Sequence, residues 1–351
     1  MCTGIRIKAT DDSVISARTV DFGVELDSDV IIVPRKYKLT GRTPDKNSQG
    51  LRWETKYAFV GGNGKKELMT IDGLNEQGLA VGMFYFRRYA KYQEVSEKDY
   101  PQTIAPDQFG IWALSQFATV AEVKEALSTL KVGNVIFEKF GFVVPLHYVI
   151  YDSAGNCIVV EYVKGQLMVH ENPLGTITNA PPFDWHTINL GNYTHLSRLD
   201  VASSIKPDNF QLEEFEPTND LLGLPGDFTP PSRFIRAVVF NQNLQRLHPA
   251  ETGEKAVLQA FHILNNFDIP RGSVLHAQGS DLPKLYDYTY TPWTSACDLK
   301  SKRFYFHTYD SRRIRMVDLM NCDLDAKDIA KIQMSESEHI YDVTKDAKLG
   351  V

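Results

Sequence analysis

Met1-Cys2-Thr3-Gly4-Ile5-Arg6-Ile7 opens the chain with a cysteine followed at once by alternating polar and apolar residues. Alternation with a period of two is the signature of a β-strand with one face buried. If the methionine is removed, Cys2 carries both a thiol and a free α-amine. Such an amine has an ordinary pKa of about 7.7–8.0, so a good part of it is neutral near physiological pH and can accept a proton. An N-terminal amine acting as base for a nucleophile is a known variant of the catalytic triad. The alternative is an ordinary small residue at a chain start, and the heptad alone does not decide between the two.

The remaining composition narrows the choices. The chain has 351 residues, 43% of them hydrophobic and 23% charged, enough apolar material for a large core. A formal net charge of −6 and the lack of Lys/Arg tracts give no footprint for nucleic acid. No apolar stretch approaches the 18–20 residues that span a bilayer. No charged segment followed by an apolar one marks a secretory leader, so the cytoplasm is expected, or the periplasm if Met1 stands in for a removed leader. The four cysteines, Cys2, Cys157, Cys297 and Cys322, are widely spaced and form no C-x-x-C pair, which speaks against a zinc ribbon or a disulfide framework.

In chain order, strands are expected at 3–9, 14–19 and 29–34, then a polar loop at 40–52, then strands at 56–60, 68–71 and 79–86. Gly73-Leu74-Asn75-Glu76-Gln77-Gly78 supplies the turn before the last of these. Helical spacing follows at 106–117 and 120–130, with Thr119 capping the second helix. Strands return at 147–151 and 157–162, with short ones at 166–170 and 175–178. Residues 191–230 read as a long irregular segment. Helices are expected at 231–244 and 253–266, strands at 286–291, 303–308 and 314–319, and a short helix near 325–332. Strands and helices grouped in this way fit a layered α+β domain better than alternating βαβ units.

Several chemistries fall away. Gly61-Gly62-Asn63-Gly64-Lys65-Lys66 lacks the spaced first glycine and the final Ser/Thr of a phosphate loop. There is no H-E-x-x-H for a metal and no G-x-S-x-G nucleophile elbow. A thiolate attacking an amide would instead need oxyanion donors, an acceptor to orient the amine, and a cation to lower the thiol pKa. If 3–9 and 14–19 form a hairpin, Arg18 and Asp21 at the end of its second strand lie near Cys2. A surface Arg/Asp pair at a strand end is the other reading of those two residues.

Several segments together resemble the choloylglycine hydrolase family, which includes bile salt hydrolases and penicillin V acylases. They are Met1-Cys2-Thr3, Ala17-Arg18-Thr19-Val20-Asp21-Phe22, Gly73 to Leu79, Thr178-Asn179-Ala180-Pro181, Leu224 to Phe234, and His262-Ile263-Leu264 with Ile269-Pro270-Arg271-Gly272. They occur in order over nearly the whole chain. The resemblance implies an N-terminal nucleophile hydrolase: one domain over 2–351 with a four-layer αββα sandwich of two antiparallel sheets between helix layers. It implies Cys2 as nucleophile with its own amine as base, Asp21 holding that amine, and Arg18 beside the thiol. It implies Asn179 as an oxyanion donor and Arg233 organising the charges, where the residues alone read as a turn and a helix-start charge.

The backbone N–H of Tyr85 is implied as the second oxyanion donor. Its side chain stands where bile salt hydrolases tend to have Asn and penicillin V acylases Tyr. Phe22, Leu26, Phe59, Phe137 and Phe140 are candidates for an apolar acyl pocket, any of which is equally a core residue. The implied reaction is hydrolysis of a linear amide joining an apolar acyl group to a polar amine, with conjugated bile salts ahead of penicillin V. It calls for no metal or organic cofactor. Segment 191–230 resembles an extended assembly loop and implies a homotetramer. A non-catalytic binding protein on the same scaffold is the alternative outside enzymology.

Overall fold

A computed structural model describes residues 1–194, 196, 221–275, 288–337 and 340–347. In chain order the strands before the first helix are β1 (Cys2–Lys8), β2 (Val14–Phe22), β3 (Asp29–Val33), β4 (Lys38–Arg42), β5 (Gln49–Glu54), β6 (Phe59–Gly62), β7 (Asp72–Asn75), β8 (Ala80–Tyr85) and β9 (Thr103–Ile104). Helices α1 (Phe109–Gln116) and α2 (Val120–Ala126) precede β10 (Lys131–Val132), β11 (Leu146–Tyr151), β12 (Cys157–Val163) and β13 (Gln166–Glu171). Then come α3 (Phe183–Leu190), α4 (Pro230–Leu247), α5 (Gly253–Leu264), β14 (Val274–Leu275), β15 (Tyr288–Asp298), β16 (Arg303–Thr308), β17 (Arg315–Asp318) and β18 (Ala330–Gln333).

Two sheets carry the architecture. One runs β1-β2-β15-β16-β17, with β14 beside β15, and the other β13-β12-β11-β8-β7-β6-β3-β18. Helices α4 and α5 pack on the first sheet, α1 packs on β7 and β8 of the second, and β15 and β16 face β7 between them. This is the expected αββα sandwich. The period of two in β1 and β2 sorts their side chains between its layers. Ile5, Ile7, Ile15 and Ala17 join the core under α4 and α5, whereas Cys2, Val14 and Val20 join the core between the sheets. Because both faces of these strands are covered, nearly every position of β2 is buried and the polar/apolar contrast is muted.

The departures from the sequence reading have physical causes. Residues 40–52, expected as a loop, belong largely to the β4–β5 hairpin. Its glycines are there for close approach: a Cβ on either Gly41 or Gly50 would lie 2.3 Å from the Thr103 carbonyl oxygen. The strand expected at 68–71 forms instead at β7, within the stretch read as a turn. The segment 175–178 makes only an isolated bridge, Ile177 to Gly4. The short helix expected near 325–332 is corrected to β18, which pairs with β3 and is recruited by a free sheet edge. Helix α3 was not anticipated, and β15 runs well past the strand expected at 286–291. Of segment 191–230, residues 195 and 197–220 lie outside the described residues. Thr119 does cap α2, its hydroxyl accepting from Glu122 N–H at 3.2 Å.

Asn75 shows why the Gly73–Gly78 stretch holds its shape. Its Nδ2 donates to the carbonyls of Leu114 and Phe117, both at 2.7 Å, and its Oδ1 accepts from Gln77 N–H and Leu79 N–H, both at 3.0 Å. It is fully buried, so truncation orphans backbone groups of both the turn and α1. Asn75→Ala is expected to cost about 3 kcal/mol or more of stability, read as a lower denaturant midpoint in urea unfolding.

Candidate active site

The β1–β2 ladder continues one residue beyond Cys2. Cys2 pairs with Val20, and Asp21 N–H donates to the Met1 carbonyl at 2.9 Å. The Met1 amine donates to the Asp21 carbonyl at 2.6 Å. Burial lowers the pKa of that amine, with the charges of Cys2 and Asp21 working against the shift. Cys2 itself is buried and its N–H donates to Asn179 Oδ1 at 2.7 Å. The atom that loss of Met1 would convert to an α-amine is thus already held by Asn179. The Asp21 carboxylate does not touch it, and accepts instead from Thr291 Oγ1 at 2.7 Å and Thr19 Oγ1 at 3.1 Å. Burial raises the Asp21 pKa, opposed by the N-terminal charge and Arg233.

Asn179 comes from the loop before α3, which runs beside β1 through the Ile177–Gly4 bridge. Its Nδ2 donates to the Tyr85 carbonyl at 2.8 Å, and its Oδ1 also accepts from Arg233 Nη2 at 2.8 Å. A strand residue presents its N–H and C=O to the same edge, so the Tyr85 N–H shares the edge on which Asn179 sits. Arg233, in the first turn of α4, donates to the Cys2 carbonyl, to Thr3 Oγ1 at 2.9 Å and to the Phe228 carbonyl at 2.9 Å. Burial brings its pKa down to about 10, with Asp21 and Cys2 pulling the other way.

Arg18 enters from the opposite face of the first sheet. Its Nη1 donates to the carbonyls of Met83 and Ile71, and its guanidinium lies 3.9 Å from the centre of the Phe84 ring. Its Nη2 is buried and has no partner among the described residues. Nearby Asp72, which the sequence reading did not single out, accepts from Ser295 Oγ at 2.7 Å and Cys297 Sγ at 3.8 Å. Burial raises Asp72 to about 6 despite the charge of Arg18.

Cys2 and Arg18 open onto an apolar cavity of about 60 Å³, walled by Phe22, Leu26, Tyr85, Phe137 and Phe140 among others. The Phe22 ring stands edge-on to Tyr85 at 5.8 Å, and Phe137 edge-on to Phe140 at 5.1 Å. Phe59 is the exception among the expected pocket residues. It is fully buried in β6, packed in the core rather than on the cavity wall. Cys2, Arg18, Asp21, Asn179 and Arg233 are therefore brought together from four separate parts of the chain. Among the described residues, no three His, Cys, Asp or Glu side chains converge to hold a metal ion.

A sandwich of two antiparallel sheets between helices, with a cysteine at the head of its first strand facing an apolar cavity, defines an N-terminal nucleophile hydrolase. Residues 2–332 match the family described as linear amide C–N hydrolases, choloylglycine hydrolase family, and the chain belongs to that family. It is 32% identical to a bile salt hydrolase/transferase of Clostridium perfringens, covering 98% of this chain and all of that one. It is 27% identical to a penicillin V acylase of Pectobacterium atrosepticum, over 88% of this chain and 77% of the other. A crystal structure of a variant conjugated bile acid hydrolase from Clostridium perfringens superposes with a TM-score of 0.86 at 30% identity, covering 98% of this chain and all of that one.

The raised pKa of Asp72 has a measurable consequence. In the fold it keeps its proton to about pH 6, whereas in the unfolded chain it loses it near the ordinary aspartate value. Between roughly pH 4 and 6 the folded state binds more protons, so stability from this group falls as pH rises, on the order of 2–3 kcal/mol across the window. Asp72→Asn is expected to remove that decline, giving a flatter profile when urea unfolding is measured in steps from pH 4 to 7. An unchanged slope would show that Asp72 is ionised in the fold.

Proposed function

We propose that this amide hydrolase uses Cys2 as its nucleophile and acts on conjugated bile salts, releasing an apolar acid and an anionic amine. The observation that carries the reading is the placement of Cys2, between an apolar cavity and the Asn179 amide. Once Met1 is gone, the Cys2 amine takes the thiol proton, in a cavity whose wall Arg18 shares. The thiolate attacks the amide carbonyl. The oxyanion rests on the Asn179 Nδ2 and the Tyr85 N–H. The α-ammonium then gives its proton to the departing amine, and water cleaves the thioester. Arg233 and Asp21 hold the first strand and the charges around it. While Met1 remains, the Cys2 nitrogen is an amide that cannot take a proton.

We take residues 2–351 as one domain, a reading supported by sheets that join strands from both ends of the chain. All four cysteines are free, which supports a reducing compartment such as the cytoplasm. No helix of the described residues is long and apolar enough to cross a membrane. A homotetramer is the assembly proposed. Ile188 and Leu222, which flank segment 195–220, are 76% and 82% exposed, apolar surface of the kind that a second copy would cover. A second substrate reading, penicillin V, is favoured by the aromatic pair Phe22–Tyr85 in the cavity wall, which suits an aryl acyl group.

Incubation with taurocholate, glycocholate and penicillin V, with the freed amine measured, separates the readings. The expected result is release of taurine or glycine by chains whose intact mass shows Met1 removed, and none by chains that retain it. Cys2→Ala is expected to lower turnover by at least ~1,000-fold with the fold intact. Hydrolysis of penicillin V alone would favour the acylase, and no release from any substrate the non-catalytic alternative. In sedimentation equilibrium at micromolar concentration, four chains per particle are expected; a monomer would overturn the assembly.

A further inference from the structure

The segment Thr178-Asn179-Ala180-Pro181-Pro182 carries the proposed oxyanion amide on a backbone poorly equipped to hold itself. Two consecutive prolines remove two N–H donors, so the segment cannot build a ladder, and the carbonyls of Thr178 and Asn179 face side-chain nitrogens instead. Two buried imidazoles supply them. His147 Nε2 lies 3.2 Å from the Thr178 carbonyl oxygen, and His186 Nε2 lies 2.8 Å from that of Asn179.

Each imidazole is itself fixed. His147 Nδ1 lies 2.9 Å from Glu161 Oε1, so both of its ring nitrogens face oxygen atoms. Its ring stacks on Phe86 at 4.3 Å and meets Phe84 edge-on at 6.1 Å, the two residues that flank Tyr85. Glu161 is fully buried and also accepts from Phe183 N–H, at 3.2 and 3.3 Å, at the start of α3. Burial works against its ionisation, but the bonds from His147, His170 and Phe183 overcome this and hold it down to about 2. His186, one turn into α3, stacks on Phe234 at 4.8 Å, next to Arg233. Burial lowers His186 to about 4, so the ring is neutral. Its Nδ1 has no partner among the described residues, which places the proton on the nitrogen that faces Asn179.

We propose that Glu161, His147 and His186 form a clamp that positions Asn179 for the reaction, a role that rests on the reading of Asn179 as an oxyanion donor. None of the three touches Cys2, so they are positioning residues. The Glu161 carboxylate ties one end of the segment through His147 and the other through Phe183, while His186 holds the middle. The side-chain amide is then aimed by its own partners, Tyr85, Cys2 and Arg233. Donor placement matters at this scale because a displacement of about 1 Å near reacting atoms lowers rates by as much as a hundredfold.

A double-mutant cycle on the mature chain, which begins at Cys2, tests the clamp. The readouts are single-turnover acylation with the best amide substrate, KM, and the rate of Cys2 alkylation by iodoacetamide. His147→Gln and His186→Gln are each expected to slow acylation about tenfold, with KM and alkylation within twofold of the parent. Asn179→Ala is expected to slow it ~100-fold or more. Combining either histidine change with Asn179→Ala is expected to add nothing further. Effects that multiply, with Asn179→Ala alone slow, would overturn the clamp and leave the oxyanion reading standing. Parent-like acylation in Asn179→Ala would overturn both. Alkylation that falls along with acylation would mark general damage to the site and equally overturn the clamp. If His147→Gln does not fold, His186→Gln alone carries the same comparison.

Discussion

The pairing of the first strand with the second is what the rest of the site depends on. That ladder runs to the very start of the chain, through Cys2–Val20 and on to the Met1–Asp21 bonds. A chain terminus is ordinarily the most mobile part of a domain. Here it is the edge strand of a six-stranded sheet, paired along its whole length with β2 and bridged on its other side to Ile177, so the thiol and the nitrogen of Cys2 have fixed positions. Shifting the register by one residue would turn Cys2 toward the helices and Thr3 toward the cavity.

Around that strand, among the described residues, the charges are arranged without direct ion pairs. The hydrogen bonds of Arg18 go to backbone carbonyls, and those of Arg233 to carbonyls, a hydroxyl and an amide oxygen. Asp21 and Asp72 take theirs from hydroxyls and a thiol. Two cations and two carboxylates share a buried region while neutral groups satisfy their geometry. The charges therefore act through a poorly screened interior, and the Met1 amine feels those of Asp21, Arg233 and Arg18. A direct pair would spend much of that field on itself.

The site is also layered. Arg18 and Cys2 face the space between the sheets, whereas Thr3, Thr19 and Asp21, at alternate positions of the same two strands, stand on the other side. Arg233 from α4 meets that second side. Asn179 bridges the two, touching Cys2, Arg233 and Tyr85 of the second sheet at once. The residues that steady Asn179 belong to the second sheet and to α3, so the two sheets meet functionally at this one side chain.

Much of this was legible in the residues. The alternation after Cys2 indicates a strand that can pair with 14–19 and so bring Arg18 and Asp21 near Cys2, and the ordered segments through Arg233 and Arg271 indicate the family and its layers. Other features were not legible, because they depend on partners distant in sequence. Gly41 and Gly50 look like loop residues until Thr103 packs on them, and 330–333 becomes a strand only because β3 leaves an edge open. Phe59 and Phe137 are both aromatic residues that sequence alone cannot sort, and only packing puts the first in a sheet interior and the second on the cavity wall. Asp72, His147, Glu161 and His186 carry no local signal at all. The sequence by itself determined the strand that presents the cysteine and, through its ordered segments, the family to which the chain belongs. The tertiary structure decided which distant groups surround it, because buried charges and carbonyls take their partners from whatever the packing brings within about 3 Å.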